Sequence, residues 1–151
     1  MSFRCRESAL GWVLRDSRKI IDCAPSLGLL TINALTASNQ TIVPVQCEYF
    51  ALEGISQLIN TLRLIQKGLN PKLKIAGIVL TMVDIRTSLN RSVIENIKSY
   101  FDELVFDTMI PRNIRLAEAP SHGLPIALYK PECKGSISYL KLAKETIQRV
   151  N

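Results

Sequence analysis

Between positions 20 and 150, short apolar runs alternate with stretches in which apolar residues recur every three or four places. The run KIID, residues 19–22, reads as the end of a buried strand. LGLLTINALTAS, residues 27–38, reads as a helix with Ser26 ahead of it as N-cap. TIVPV, residues 41–45, is a short β-branched strand. ALEGISQLINTLRLIQKGLN, residues 51–70, puts Leu52, Ile55, Leu58, Ile59, Leu62 and Ile65 on one helical face, and Gly68 with Asn70-Pro71 stops that helix. KIAGIVLTMV, residues 74–83, predicts a buried strand, and Leu89 to Phe101 an amphipathic helix. LVFDTMIP, residues 104–111, predicts a strand end. SISYLKLAKETIQRV, residues 136–150, predicts a helix with Tyr139, Leu142, Ala143 and Ile147 facing inward.

Strands that alternate with helices imply βαβ crossovers and a parallel sheet, so the expected class is α/β. In such sheets ligands bind at the carboxyl ends of the strands. Asp22, Thr81–Arg86 and Pro111–Arg115 all fall at such ends. They form one crevice, or they are ordinary polar loops. The first nineteen residues do not join the pattern, and Trp12, Val13 and Leu14 have no assigned packing.

Composition narrows the class. A chain of 151 residues with 47% apolar residues fits one domain with a real core. No apolar run reaches the roughly 18 residues of a membrane span, and the charged N-terminus lacks a signal-peptide core, so a cytoplasmic protein is expected. Cys5, Cys23, Cys47 and Cys133 form no CxxC pair and the chain has a single His, which favours free thiols over a zinc site. The net charge of +6 is compatible with a polyanionic partner without requiring one.

Four ordered segments carry a more specific signal. They are DCAPSLGLLTINALTAS, PVQCEYFALEGISQLINTLRLIQ, GIVLTMVDIRTSLN and IPRNIRLAEAPSHGLPI. In this order, from about Ile20 to Val150, they resemble the ParA/Soj chromosome-partitioning ATPases, of the deviant Walker P-loop class. The resemblance implies chromosome or plasmid partitioning, ATP with magnesium as cofactor, and an ATP-sandwich homodimer. It also implies non-specific DNA binding, a ParB-type partner and a nucleoid-associated, cytoplasmic location. By it Asp22 matches the Walker B acid, which holds magnesium through water; the alternative is a cap on the following turn. Pro111 and Asn113 match adenine-side contacts; the alternative for Asn113 is a bond to its own backbone. Arg86 and Arg115, with Arg112 as a weaker candidate, match positions of DNA contact; the alternative is solvated surface charge. Lys141, Lys144 and Arg149 extend that patch or form the wet face of the last helix. His122 is read as structural, and neither Ser26 nor Ser121 has a partner base for a hydrolase triad.

One part of the family pattern is absent. No G-x-x-x-x-G-K-[ST] occurs, and none of the seven glycines precedes Lys-Thr. The backbone amides and lysine of that loop neutralise most of a triphosphate's charge. The expected fold is therefore a truncated P-loop-type parallel sheet flanked by helices and lacking the P-loop strand. Residues 1–19 form an unmatched segment, and 20–151 the carboxyl-terminal portion of a ParA/Soj-like domain. The polypeptide by itself is expected not to bind ATP tightly or hydrolyse it. The alternatives are a non-catalytic DNA- or partner-binding remnant and a decayed gene product.

Overall fold

The computed structural model describes residues 19–23 and 28–150. The unassigned packing of Trp12 to Leu14 and the Ser26 cap lie outside the described residues. Helix α1 (Leu29–Ala37) leads into strand β1 (Gln40–Gln46), helix α2 (Ala51–Gly68) and strand β2 (Lys74–Thr81). Helix α3 (Ser88–Phe101) follows, then two short helices, α4 (Ile114–Glu118) and α5 (Ile126–Tyr129), and the long α6 (Lys134–Val150). β1 and β2 pair in parallel across the α2 crossover, as the alternating pattern requires.

Period-two alternation along β2 builds two apolar layers. Ile78 and Leu80 face α2 and α3, where Ile55, Ile59, Leu62, Val93 and Ile97 complete the larger cluster. Val79 points to the opposite face and packs with Phe106, Ile110, Leu116 and Leu142 beneath α4 and α6. The predicted inward face of α2 is observed, with Ile55, Ile59, Leu62 and Ile65 buried. Asn70 does more than end that helix: its Nδ2 donates to the Leu35 and Ser38 carbonyls at 3.0 and 2.7 Å, tying α1 to α2.

The ladder has one irregularity. Thr41 pairs with Ile75 and Ile42 with Gly77, so Ala76 is an extra residue on β2. Gly77 sits there with φ +155°, and a Cβ on it would lie 2.6 Å from both the Leu104 carbonyl oxygen and the Phe106 ring. Glycine therefore lets the 102–106 segment close against the sheet.

Three expectations are corrected. KIID is not a strand: residues 19–23 are irregular, with Ile20 98% exposed. A strand needs a hydrogen-bonding neighbour, and among the described residues β1 pairs only with β2. LVFDTMIP forms no continuous strand either. It meets β2 and its end through two isolated parallel bridges, Ile78–Val105 and Val83–Pro111, and residues 107–108 bond to α6 instead. On α6, Leu142 faces inward as expected, but Tyr139, Ala143 and Ile147 are exposed. The buried side starts at Gly135 and Ser136 and continues through Glu145 and Arg149. Polar anchoring and the close approach of Gly135 to Leu116 set the helix rotation, so apolar spacing alone misplaced it.

Candidate functional site

The carboxyl end of β2 organises the site. Thr81 Oγ1 donates to the Val45 carbonyl at 3.1 Å, and Cys47 N–H donates to the Thr81 carbonyl at 3.2 Å, which holds the two strand ends together. Met82 then adopts a left-handed conformation, φ 54°, uncommon for a residue with a side chain. The turn brings Val83 N–H to the Ile110 carbonyl at 3.1 Å and the Val83 carbonyl to Arg112 N–H at 3.0 Å. The loop after β2 and the Pro111–Arg115 segment are thereby neighbours.

Asn90 joins the third piece. Its Oδ1 accepts from Asp84 N–H at 2.9 Å, its Nδ2 donates to the Cys47 carbonyl at 2.8 Å, and its own N–H donates to the Thr87 cap at 3.3 Å. One side chain thus fixes the loop after β1, the loop after β2 and the start of α3. Sequence reasoning missed it; the only local signal was Thr87, three residues earlier, as a cap partner.

Each candidate residue has a definite place. Arg86 donates to Asp84 through Nε at 2.8 Å and Nη2 at 2.7 Å. These bonds, with the Arg86 N–H, hold the Asp84 carboxyl down to about 2. The Arg112 charge acts on Asp84 in the same direction, so Arg86 and Arg112 share one neighbourhood. Arg115 lies on α4, where Nη1 donates to Glu118 at 2.8 Å. Asn113 caps α4 through Oδ1, which accepts from Arg115 N–H at 2.9 Å. The backbone bond considered for Asn113 is therefore present, and it uses the oxygen only, leaving the NH2 group as a donor.

Pro111 lines a shallow groove of about 350 Å³ with Val83, Ile85, Met109 and Ile137, and Lys134 and Lys141 also line it. Asp22 is exposed in the irregular 19–23 segment rather than at a strand end. His122 stacks on Tyr129 with ring centroids 4.7 Å apart, in keeping with a structural role.

Arg149 belongs neither to the cation patch nor to a wet helix face. It donates to the Glu103 and Val105 carbonyls at 3.2 and 2.8 Å, pairs with Glu145 at 3.1 Å and lies 4.3 Å over the Phe106 ring. Glu145 accepts from the Asp107 and Thr108 amides at 2.8 and 2.9 Å. This pair clamps the segment that delivers Pro111, in place of strand pairing.

Cys47 is buried, which pushes its thiol up to about 11, so it is a core residue rather than a nucleophile. Among the described residues no three His, Cys, Asp or Glu side chains gather as a metal-binding group. Among them, too, no helix is long and apolar enough to cross a membrane.

A family profile described as an AAA domain matches residues 18–75. The sporulation initiation inhibitor protein Soj of Bacillus subtilis is 64% identical over 126 residues, covering 83% of this chain and 50% of Soj. The chromosome-partitioning ATPase Soj of Treponema pallidum is 53% identical, covering 86% and 51%. The chromosome partitioning protein ParA of Myxococcus xanthus is 49% identical over 147 residues, 97% of this chain and 52% of ParA. The chain thus spans about half the length of these curated relatives. Among solved structures, cobyrinic acid a,c-diamide synthase from Mycobacterium smegmatis superposes with a TM-score of 0.64 at 36% identity, covering 82% of this chain and 43% of that one. The same synthase has been solved with a bound ATP analog and magnesium.

Proposed function

We propose that the chain, which is similar to the Soj and ParA chromosome-partitioning proteins over about half of their length, is a member of that family and acts in chromosome or plasmid partitioning by gripping DNA phosphates without reading sequence. A ParB-type partner belongs to the same reading; ATP-dependent pairing of two copies belongs to it only where an intact phosphate loop is present. The observation that carries it is the shared strand end. Arg86 and Arg112 project from adjacent loops locked by the Val83–Arg112 hydrogen bond, and Lys134 and Lys141 stand beside Pro111. Arginine at such a place binds phosphate through its planar fork, and contacts to the sugar-phosphate backbone carry no base specificity.

ATP with magnesium is the cofactor of this reading, and the residues present fit one end of it. The groove beside Pro111 offers apolar walls to a purine, and the Asn113 NH2 group is left to donate to a ring nitrogen. The triphosphate end does not fit the described residues. Gly77 is packed under Phe106 and Gly135 against Leu116, while Gly54 lies within α2, Gly68 at its last turn and Gly123 in an isolated turn. None of these five contributes to a run of converging amides, and Gly28, the N-cap of α1, is followed by Leu29-Leu30 rather than Lys-Thr. Asp22 supplies an acid for magnesium but no cradle for the phosphates. No hydrolytic step is therefore assigned to this chain.

Two measurements test this. A fluorescent ATP analogue with magnesium is expected to show no saturable binding to the purified chain at low micromolar concentration; magnesium-dependent saturation there would refute it. Fluorescence anisotropy with random-sequence duplex DNA is expected to show binding without nucleotide that weakens steeply with salt. In the Arg86→Ala, Arg115→Ala variant the log–log salt slope should shrink by about two, one for each phosphate contact removed. Absence of DNA binding at low salt rejects the DNA reading. Binding without nucleotide also favours the second reading, a DNA-binding module without the nucleotide switch, to which the glycine packing points.

A further inference from the structure

We propose that Asp84 is an internal competitor for DNA at Arg86, its carboxylate occupying the guanidinium fork that a phosphodiester takes. The inference rests on the DNA-contacting reading of Arg86. The geometry is that of a phosphate contact with a carboxylate in its place: two parallel bonds, Nε to Oδ1 at 2.8 Å and Nη2 to Oδ2 at 2.7 Å. The Arg86 side chain is 86% exposed, so nothing but this pair directs it. The pair is close in sequence and closed by a third bond, Arg86 N–H to Oδ1 at 3.2 Å, so the competitor is always at hand.

Other contacts single out Asp84 as the removable member. The Arg115–Glu118 pair is held by a single bond, Nη1 to Oε2 at 2.8 Å, and Glu118 also accepts from the Tyr129 hydroxyl at 3.2 Å, which builds it into the contact between α4 and α5. The Asp84 carboxylate accepts only from Arg86 among the described residues. The Arg112 charge also acts on Asp84, so the carboxylate keeps a cationic neighbour when a phosphate takes Arg86. The consequence is a weakened grip: the patch presents less net positive charge than its arginines suggest, and each binding event breaks an ion pair.

Asp84→Asn tests this. The amide oxygen can still accept the Arg86 N–H, and the Asp84 N–H bond to Asn90 is a backbone bond, so the turn persists; a thermal melt checks this. Anisotropy with random-sequence duplex DNA is run on wild type, Asp84→Asn, Arg86→Ala and the double variant over a range of salt. Asp84→Asn should tighten binding roughly three- to fivefold, the scale of an ion pair open to solvent on its arginine side, and steepen the salt slope. The gain should vanish in the Arg86→Ala background. Equal tightening with and without Arg86 means a general charge effect and overturns the proposal. So does an unchanged affinity in Asp84→Asn while Arg86→Ala weakens binding, an outcome that leaves the DNA reading intact. If neither wild type nor Asp84→Asn binds, the DNA reading falls and the proposal with it.

Discussion

Replacing Gly77 with alanine is expected to lower stability by about 3–4 kcal/mol, and the thermal midpoint by roughly 10 °C. Two costs add. The backbone at φ +155° is one that side-chain-bearing residues rarely adopt. The new methyl would also sit 2.6 Å from a backbone oxygen, Leu104 O, and from the ring of Phe106, which is fully buried and has no room to retreat. Gly54→Ala is the matched control. Gly54 lies inside α2 with nothing within 4 Å of its added Cβ, so the same change there should stabilise by about 0.5–1 kcal/mol. Denaturant unfolding of both variants reads the contrast. A midpoint for Gly77→Ala within experimental error of wild type would show that the 102–106 segment does not close on the sheet as described.

Glu145→Ala is expected to cost about 2–3 kcal/mol, because the two amides it serves and the Arg149 guanidinium all lose a charged partner. The change should act at a distance on the candidate site, since the segment held by Glu145 runs directly into Pro111. Amide hydrogen exchange should accelerate at Asp107 and Thr108 and propagate to Ile110 and Arg112, whose amides bond to Leu80 and Val83. The pH dependence has a definite sign. Burial pushes the Glu145 carboxyl up, but the Thr108 and Asp107 amides and the Arg149 charge outweigh it and leave it below its ordinary value of 4.5. A carboxyl lowered in the folded state adds stability above that value and loses it as pH falls through the folded pKa. That part of the acid slope should be missing in Glu145→Ala. Acid unfolding with the wild-type slope in the variant would mean that Glu145 does not carry this contribution.

Much of the architecture could be read along the chain. The faces of α2 and α3, the β-branched run of β1 and the apolar run of β2 all follow from local periodicity. These elements were legible because hydrophobic burial selects residues at the spacing of the backbone itself. Where reading failed, a partner remote in sequence decided. Ile20 and Ile21 have strand-forming character but no neighbour to pair with among the described residues. Residues 104–111 have an apolar pattern too, yet Glu145 takes two of their amides out of any ladder. The rotation of α6 followed Glu145, Arg149 and Gly135 rather than Tyr139, Ala143 and Ile147.

The candidate site divides in the same way. Pro111, Asn113, Arg86 and Arg112 were named by resemblance at expected strand ends, and the Val83–Pro111 bridge makes their loops neighbours. That Asp84 closes on Arg86, that Asn90 staples the loops and that Arg149 is an internal tie were not visible, because side-chain pairing depends on three-dimensional approach. By itself the order of residues determined the likeness to Soj and ParA proteins, the βαβ unit and the lack of a G-x-x-x-x-G-K-[ST] run within these 151 residues, since each is written in local pattern. Tertiary structure alone decided which cations are free to meet a phosphate. An ion pair forms wherever folding brings opposite charges within reach, and no local pattern announces that distance.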